Sequence, residues 1–260
     1  MSTPSLIVHQ SRYDLRVFSR DPRARGFTLA MPVLLLVIFG SIFKNNAPFK
    51  QDGYSISPDA YYVPRMIVLG LVGAALSNLL ITLISKRETG ALKRRRATPV
   101  RPVVLIGSDL VTAEVSALTI AIVLTLIGWA AFSVHPAGAG VIAILLTVLI
   151  GAAALGAIAY ALSPFVRSVD SAGPLTMLVL FAVNAISGIY VPENLFPQWM
   201  RDMAQVLPVR PLAVAMQAAF RPDTNGGSTF AWSDLGIILA WGIAAAAFAV
   251  KRFIWSPSQQ

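Results

Sequence analysis

Six apolar segments, each close to the length that crosses a lipid bilayer, constrain the fold of this chain most strongly. A hydrocarbon core about 30 Å thick is crossed by about 20 residues of helix, in which the backbone satisfies its own hydrogen bonds. Hydrophobic residues make up 56% of the chain and charged residues only 13%, too little charge to cover a water-soluble surface. We therefore predict an all-α polytopic membrane protein, one domain over residues 1–260. The predicted spans are residues 27–43, 63–84, 104–132, 141–162, 175–190 and 232–253.

The distribution of lysine and arginine predicts the orientation of these spans. With both termini on the cytoplasmic side, 15 of the 21 basic residues fall in inner segments and 6 in outer ones. This excess is the usual pattern of multi-pass proteins of the cytoplasmic membrane. The net charge of +9 lies mainly in short loops, where anionic lipid attracts it, so it gives no reason to expect nucleic acid as a partner.

The segment before the first span, residues 5–25, has the pattern of an amphipathic helix. Arg12, Arg16, Arg20 and Arg23 share one face, and apolar residues surround it. We predict an elbow helix on the inner membrane surface, broken near Pro22, with a solvated basic leader as the alternative. A signal peptide is not expected, because no cleavage site follows the apolar run.

The segment before the last span, residues 191–231, is long and contains five prolines. Between them, residues 198–207 and 212–220 have helical composition with one apolar side. Proline suits the first turn and the ends of helices. We therefore predict two short outer re-entrant helices rather than an unstructured loop.

The chain lacks the residue patterns of common enzyme classes. It contains no GxxxxGK[ST], HExxH or GxSxG sequence and no cysteine, and its two histidines lie on opposite sides of the predicted membrane. We predict no catalytic residue, no metal site and no cofactor on this chain.

Four polar residues in or beside the spans are candidates for special roles, because polar groups in a membrane are costly. Asp109, with Ser108 before it, looks like a helix N-cap, and Glu114 lies one or two turns deeper. A structural role for the two acids is favoured over a proton relay, because no further acid follows along the span. Asn78 and Asn184 are interpreted as interhelical hydrogen-bonding residues, with contact to a cargo as the alternative.

The connector between the second and third spans, residues 86–99, is the most distinctive loop. It is rich in lysine and arginine, has Glu88 near its start and a Gly90 that permits close backbone approach, and ends at Thr98-Pro99. Composition alone is equally typical of a generic positive-inside loop and of a short helix that docks on a soluble partner.

The connector resembles an element of a known family, the ABC type-2 exporter permeases, which are membrane subunits of ATP-binding-cassette exporters. Lys86-Arg87-Glu88-x-Gly90-x-Leu92-Lys93-x-x-x-Ala97-Thr98-Pro99 is similar to the family's "ERE-x-G-T-L-x-x-L-x-x-T-P". Ser187-Gly188-Ile189-Tyr190-Val191-Pro192, followed by Phe196-Pro197-Gln198-Trp199-Met200 and then Leu207-Pro208, resembles its "SG-x-x-x-P, LP-x-W, NP". The chain departs from the family at Phe196, at Leu207 and in the run Arg94-Arg95-Arg96.

The resemblance implies a permease that pairs with a second permease, identical or paralogous, each contacting a separate ATPase subunit that holds ATP and Mg. The connector would be a cytoplasmic coupling helix and the elbow a second contact. The implied ATPase interface is Arg87, Glu88, Gly90, Leu92, Arg94, Thr98, Pro99, Arg12 and Arg16. The implied translocation path is Asn78, Asn184, Ser187 and Tyr190, and the implied outer gate is Pro192, Phe196, Pro197 and Trp199.

The apolar spans carry no series of stacking aromatic residues and no file of charges, which favours a hydrophobic or amphiphilic cargo such as a drug, antibiotic or lipid. Export of a lipid-linked glycan by the same machinery is one alternative. A stand-alone proton-coupled secondary transporter that uses Glu114 and Asp109 is another. An intramembrane enzyme is a third, but it needs paired catalytic residues that the sequence does not offer.

Overall fold

The computed structural model describes residues 3–20, 22–43, 47–51, 54–91, 102–136, 138–166, 168–221 and 229–252. Helices dominate these ranges, which confirms the helical class, and a two-stranded hairpin joins them. The helices are α1 Thr3–Arg20, α2 Pro22–Phe43, α3 Pro58–Leu71, a π-helical segment Val72–Asn78, α4 Leu79–Glu88, α5 Pro102–Phe132, α6 Gly140–Leu162, α7 Val169–Ile186, α8 Gln198–Val206, α9 Val209–Ala218 and α10 Trp232–Arg252, with 3₁₀ turns at Ser163–Phe165 and Glu193–Leu195.

Four helices in the described ranges are long and apolar enough to cross a membrane. They correspond to the second, third, fourth and sixth predicted spans, and they make this chain a multi-pass membrane protein. The first and fifth predicted spans correspond to the shorter apolar helices Leu29–Phe43 and Thr176–Ile186. Full crossing by these two helices stays a prediction. The long spans are Pro58–Glu88, Val104–Phe132, Gly140–Phe165 and Trp232–Arg252.

A continuous helix formed by α3, the π segment and α4, here called the central helix, lies in the middle of the fold. It starts at Pro58, where the Ser57 hydroxyl accepts a hydrogen bond from the Ala60 amide (3.4 Å), the usual combination of a capping serine and a first-turn proline. Every residue from Tyr61 to Val72 is buried. The central helix packs against α2, α5, α6, α7 and α9, so it contacts most of the other helices directly.

Small residues let the helices approach closely. A Cβ built on Gly70 would lie 2.3 Å from Ile120 Cγ2, so the central helix and α5 meet at van der Waals distance there. Likewise, α6 and α10 meet where Gly242 faces Ala154. Such contacts replace the hydrophobic effect, which is weak between helices in lipid. Large apolar side chains on the outside, such as Leu126 and Trp129, are exposed as lipid-facing residues are.

The end of the bundle that carries the hairpin is called the hairpin end. There β1, Phe49–Gln51, pairs antiparallel with β2, Tyr54–Ile56. The sequence did not predict these strands. The Phe49 ring packs edge-on against Tyr61, with 5.3 Å between centroids, so the hairpin covers the start of the central helix.

The two helices predicted after the fifth span are present as α8 and α9. Helix α9 is largely buried, whereas α8 exposes Trp199, Met203 and Val206 on one side. Trp241 Nε1 of α10 donates a hydrogen bond to the Val206 carbonyl (3.0 Å), which ties the end of α8 to the last span.

The predicted N-cap at Ser108 and Asp109 is wrong. Helix α5 begins at Pro102, so Asp109 lies about two turns inside it. The Ser108 hydroxyl donates to the Leu105 carbonyl (2.9 Å) instead of capping amides. The apolar residues 103–106 continue the helix toward its start, and a first-position proline is compatible with a helix N-terminus.

Candidate functional site

The end of the bundle opposite the hairpin, where α4 ends and α7 begins, is called the basic end. Here Asp109 of α5 joins three helices. Its Oδ1 accepts a hydrogen bond from Lys86 Nζ of α4 at 2.5 Å, and its Oδ2 accepts one from the Tyr160 hydroxyl of α6 at 2.9 Å. Both carboxylate oxygens are therefore used, which explains why a charge is tolerated inside this helix. This geometry agrees with the structural role predicted for Asp109, and its cationic partner is Lys86.

Arg87 is buried beside this ion pair and binds the turn that follows α6. Its Nη1 donates to the Ser163 carbonyl (3.0 Å), and its Nη2 donates to the Val166 carbonyl. The last carbonyls of a helix have no partner within it, and the forked guanidinium can bind two of them at once. Arg87 thus fastens the end of the central helix to the connection between α6 and α7.

Glu88, the next residue, is exposed and points to the start of α7. Its Oε1 accepts a hydrogen bond from the amide of Val169, the first residue of that helix, at 3.0 Å. A carboxylate at a helix N-terminus satisfies an unpaired amide and faces the positive end of the helix dipole. Glu88 acts as a capping residue supplied by a different helix.

The central helix stops at Gly90, which has φ +67°. Its amide donates to the Arg87 carbonyl (3.1 Å), the pattern of a helix that ends on a left-handed residue. In the described part of the chain, a Cβ at Gly90 would meet nothing within 4 Å. The glycine is explained here by its backbone angle, and no close approach to it occurs among the described residues.

The residues expected to contact an ATPase differ in burial. Arg87 is buried, and Gly90 is half-buried. Glu88, Arg12 and Arg16 are exposed. Helix α1, which carries the two arginines, packs on α5 with Ile7 against Gly107 and with Ser11 Oγ 3.5 Å from the Ser108 carbonyl. The other expected contact residues lie outside the described residues: Leu92, Arg94, Thr98 and Pro99.

At the hairpin end, α7 ends at a turn that is closed by hydrogen bonds. The Ile189 amide donates to the Asn184 carbonyl (3.1 Å), and Gly188 has φ +75°. A Cβ on Gly188 would lie 2.8 Å from Glu193 Cγ, so both the backbone angle and the space require glycine. This explains the Ser-Gly pair of the sequence pattern.

The predicted path residues fall at two levels. Asn184 and Ser187 are buried at the end of α7, with Tyr190 half-buried beside them and its ring stacked on Phe181 at 5.3 Å. Asn78 ends the π segment, which packs against the same helix. The two helices meet at the contact of Glu88 with Val169. At about 1.5 Å per residue, Asn78 lies about 15 Å from this contact along the central helix, and Asn184 lies about 22 Å from it along α7. Asn78 is therefore about 7 Å nearer the basic end.

Three charged residues form a cluster beside this turn, and two of them, Arg65 and Glu193, are buried. Glu193 Oε1 lies 3.9 Å from Arg65 Nη2, and Glu193 Oε2 accepts a hydrogen bond from Arg210 Nε at 2.8 Å. The Arg65 side chain is 0% exposed, and its guanidinium carbon lies 4.1 Å from the centroid of the Tyr61 ring. The Tyr61 hydroxyl in turn donates to the Gly188 carbonyl at 2.7 Å.

The predicted gate residues surround this cluster unevenly. Pro192 is buried and directly precedes Glu193, and Phe196 is half-buried. Pro197 and Trp199 are exposed, and Trp199 begins the apolar side of α8. The central helix contacts the residues on either side of Pro192: the Tyr61 hydroxyl lies 3.4 Å from the Val191 carbonyl, and Arg65 faces Glu193.

Sequence reasoning did not single out Tyr61, Arg65, Tyr160 or Glu193. A signal existed for the charged pair: Arg65 lies at the start of the second predicted span and Glu193 just after the end of the fifth, on the same predicted side of the membrane. Opposite charges at such depth are expected to meet, because each is costly alone. No comparable signal marks Tyr160, since a tyrosine near a span end is usually an interfacial anchor.

Comparison with known families identifies the chain. The model of the family described as ABC-2 type transporter matches residues 7–220, more than half of the sequence and all of the helices from most of α1 to α9. No curated protein matches the chain. The match includes both elements on which the sequence resemblance depends, namely the connector after α4 and the turn after α7. The chain therefore belongs to the ABC-2 type transporter family and is a membrane permease of that family.

Proposed function

We propose that the chain is the permease subunit of an ATP-driven exporter that moves a hydrophobic or amphiphilic molecule outward across the cytoplasmic membrane. ATP and Mg are held by a separate ATPase subunit, and the permease works with a second permease copy or a paralogue. The main support is the structure of the basic end of the central helix. There Arg87 and Glu88 bind the segment between α6 and α7, and the connector follows directly in the sequence. A displacement of the connector by a bound ATPase would therefore move α4, α6 and α7 together.

The charge of this end supports a docking role. Arg12 and Arg16 lie exposed on α1, and the basic run Arg94-Arg95-Arg96 follows Gly90 in the sequence. We propose that the basic end faces the cytoplasm, with both termini there and six spans in total. The ATPase would then contact Glu88, Gly90, Leu92, Arg94, Thr98 and Pro99 on the connector, and the elbow arginines at the side.

The cargo class follows from what lines the bundle. The described spans are lined mainly by aliphatic and small side chains, and the five aromatic residues nearest the hairpin pack on one another. A drug, antibiotic or lipid fits such surfaces better than a glycan does, since sugars favour exposed stacking rings. We propose that the cargo passes Asn78, Asn184, Ser187 and Tyr190 before a gate at Pro192, Phe196, Pro197 and Trp199.

The decisive experiment is co-expression with the candidate ATPase subunits encoded beside this chain. We expect a complex that co-purifies, and transport that stops with vanadate. Charge reversal by Glu88→Lys should abolish stimulation of the ATPase while the protein stays inserted. Asp202→Lys, the same change on exposed α8 at the other end, is the control. Absence of any complex, or transport that ignores vanadate, would contradict the exporter.

One observation favours a second candidate, a proton-coupled secondary transporter. Glu114 Oε2 is buried without a hydrogen-bond partner among the described residues, inside the third span. Asp109, in contrast, is engaged by Lys86 and Tyr160. This candidate predicts that Glu114→Gln abolishes transport driven by a proton gradient without an ATPase. Transport that survives Glu114→Gln would eliminate it.

A further inference from the structure

We propose that Glu193, Arg65 and Tyr61 are positioning residues that form a latch, which holds the outer gate closed until the central helix moves. The latch rests on the proposed function, because a gate has a role only in a transporter. It assigns a role to charged residues that neither the sequence pattern nor the family comparison singles out.

The ionic part of the latch is a carboxylate shared by two arginines from different helices. Glu193 belongs to the turn after α7, Arg65 to the central helix and Arg210 to α9, so one side chain connects three elements. The Arg65 side chain is 0% exposed and that of Glu193 only 10%. Where water is excluded, charges attract strongly, and separating them leaves a costly buried charge.

Tyr61 supplies the second part of the latch, one helical turn before Arg65. Its hydroxyl lies 2.7 Å from the Gly188 carbonyl and 3.4 Å from that of Val191, which it contacts as a donor. Its ring faces the Arg65 guanidinium. The same side of the central helix therefore contacts both the beginning and the end of the turn from Gly188 to Glu193.

Two polar residues next to the latch, Asn184 and Ser187, are buried. Ser187 is 0% exposed and Asn184 is 3% exposed, and both lie directly before the turn from Gly188 to Glu193. Strand β1 contacts the 3₁₀ turn at Glu193. If the turn separates from the central helix, Ser187 becomes accessible to water from the hairpin end.

The central helix also links the latch to the basic end. Arg65 and Glu88 are separated by 23 positions, about 34 Å of helix. Between them lies the π segment Val72–Asn78, a geometry that often marks functional positions in helices. In this proposal, a tilt or rotation of the central helix relative to α7 changes the positions of Tyr61 and Arg65 relative to Glu193. We infer that ATPase closure releases the latch through this helix.

The test is the accessibility of one engineered cysteine, and the chain is suited to it because it contains none of its own. Ser187→Cys is reconstituted in phospholipid vesicles without any ATPase, and its labelling rate with a membrane-impermeant maleimide is measured. The same rate is then measured after adding Glu193→Gln, Tyr61→Phe or the matched control Asp202→Asn, which removes an exposed acid of α8.

We expect slow labelling of Ser187→Cys alone and an increase of about tenfold or more with Glu193→Gln. Tyr61→Phe keeps the ring and loses only the hydroxyl, so about a threefold increase is expected, and it remains informative if Glu193→Gln does not fold. Asp202→Asn should change nothing. Unchanged rates in both latch variants, or an equal increase with Asp202→Asn, would overturn the latch.

These outcomes are independent of the ATPase experiment. Faster labelling in the isolated permease supports the latch even if no ATPase co-purifies. Unchanged labelling overturns it even if the ATPase complex forms and transports.

Discussion

The two ends of the central helix are held in place by different kinds of interaction. At the hairpin end, Arg65 is fully buried in an ionic cluster with Glu193 and Arg210. At the basic end, Lys86 pairs with Asp109 but keeps a side chain 20% exposed, and Glu88 is exposed while it caps α7. Arg210, the second cation at the hairpin end, is 22% exposed, so the two ends differ chiefly in Arg65, which is fully buried, and in Glu88, which is exposed.

This difference has an energetic consequence. Ion pairs that water reaches contribute little to stability, whereas breaking a buried pair is strongly destabilising because it strands a charge. A surface that must bind and release a partner cannot hold its charges in a dry interior. The basic end therefore suits a docking role, and the hairpin end suits a barrier that opens rarely.

The largest expected contrast comes from breaking each ion pair on its own. Glu193→Gln leaves the fully buried Arg65 without its carboxylate and should lower the free energy of unfolding by about 3–5 kcal/mol. Asp109→Asn, the matching removal of the acid at the basic end, should cost about 1–2 kcal/mol, because the Lys86 side chain that loses its carboxylate is 20% exposed and water reaches it. Thermal unfolding of the purified proteins in one detergent measures both. Equal losses would remove the distinction between the two ends.

Two glycines with left-handed backbone angles sharpen the comparison. Gly90→Ala should cost about 1 kcal/mol, from the positive φ alone, since no atom of the described chain occupies the space. Gly188→Ala should cost about 2–3 kcal/mol, because the new Cβ also meets Glu193 Cγ at 2.8 Å. Denaturant unfolding of both variants checks this order, and a larger loss for Gly90→Ala would contradict it.

A smaller effect is expected where Arg87 binds two carbonyls. Arg87→Lys keeps the positive charge but cannot reproduce the fork, so one of the bonds to Ser163 and Val166 is lost, at about 1–2 kcal/mol. Arg12→Lys, on exposed α1, is the matched control and should leave the melting temperature unchanged. The prediction fails if the two variants melt together.

The smallest stability effect is expected at Glu88, despite its proposed importance for coupling. Glu88→Ala removes the cap on Val169 and should cost about 1 kcal/mol, whereas Glu88→Gln keeps an acceptor oxygen and should cost less. ATPase stimulation should fall far more in Glu88→Ala than the melting temperature suggests. A variant that melts early but stimulates normally would mean that Glu88 is only a cap.

The sequence predicted a large part of the fold, because the bilayer imposes strict rules on it. The lengths of the apolar runs predicted the four long spans, and the prolines between 191 and 231 predicted α8 and α9. The hairpin was missed because its strands are only three residues long, too short for an alternating pattern. The N-cap at Asp109 was wrong because a local cap pattern also occurs inside a helix when a distant lysine and tyrosine engage the acid.

The candidate sites were predicted as segments rather than as interactions. The connector and the Ser-Gly turn were recognised from residue order, and Gly188 has a backbone angle that only glycine adopts easily. The partners of Arg87, Glu88 and Arg65 lie 76 to 128 positions away along the chain. Pairings over such separations depend on how the helices pack, and no periodicity in a single sequence encodes them.

By itself, the sequence determined that this chain spans a membrane, which of its connecting segments are rich in positive charge, and which family pattern it follows. The reason is that apolar length and charge placement act locally, residue by residue, against lipid and water. Only the tertiary structure decided that one helix carries, at one end, an exposed acid that caps another helix and, at the other end, a fully buried arginine beside a carboxylate. That outcome depends on which distant carbonyls and carboxylates the packed helices bring within hydrogen-bonding distance.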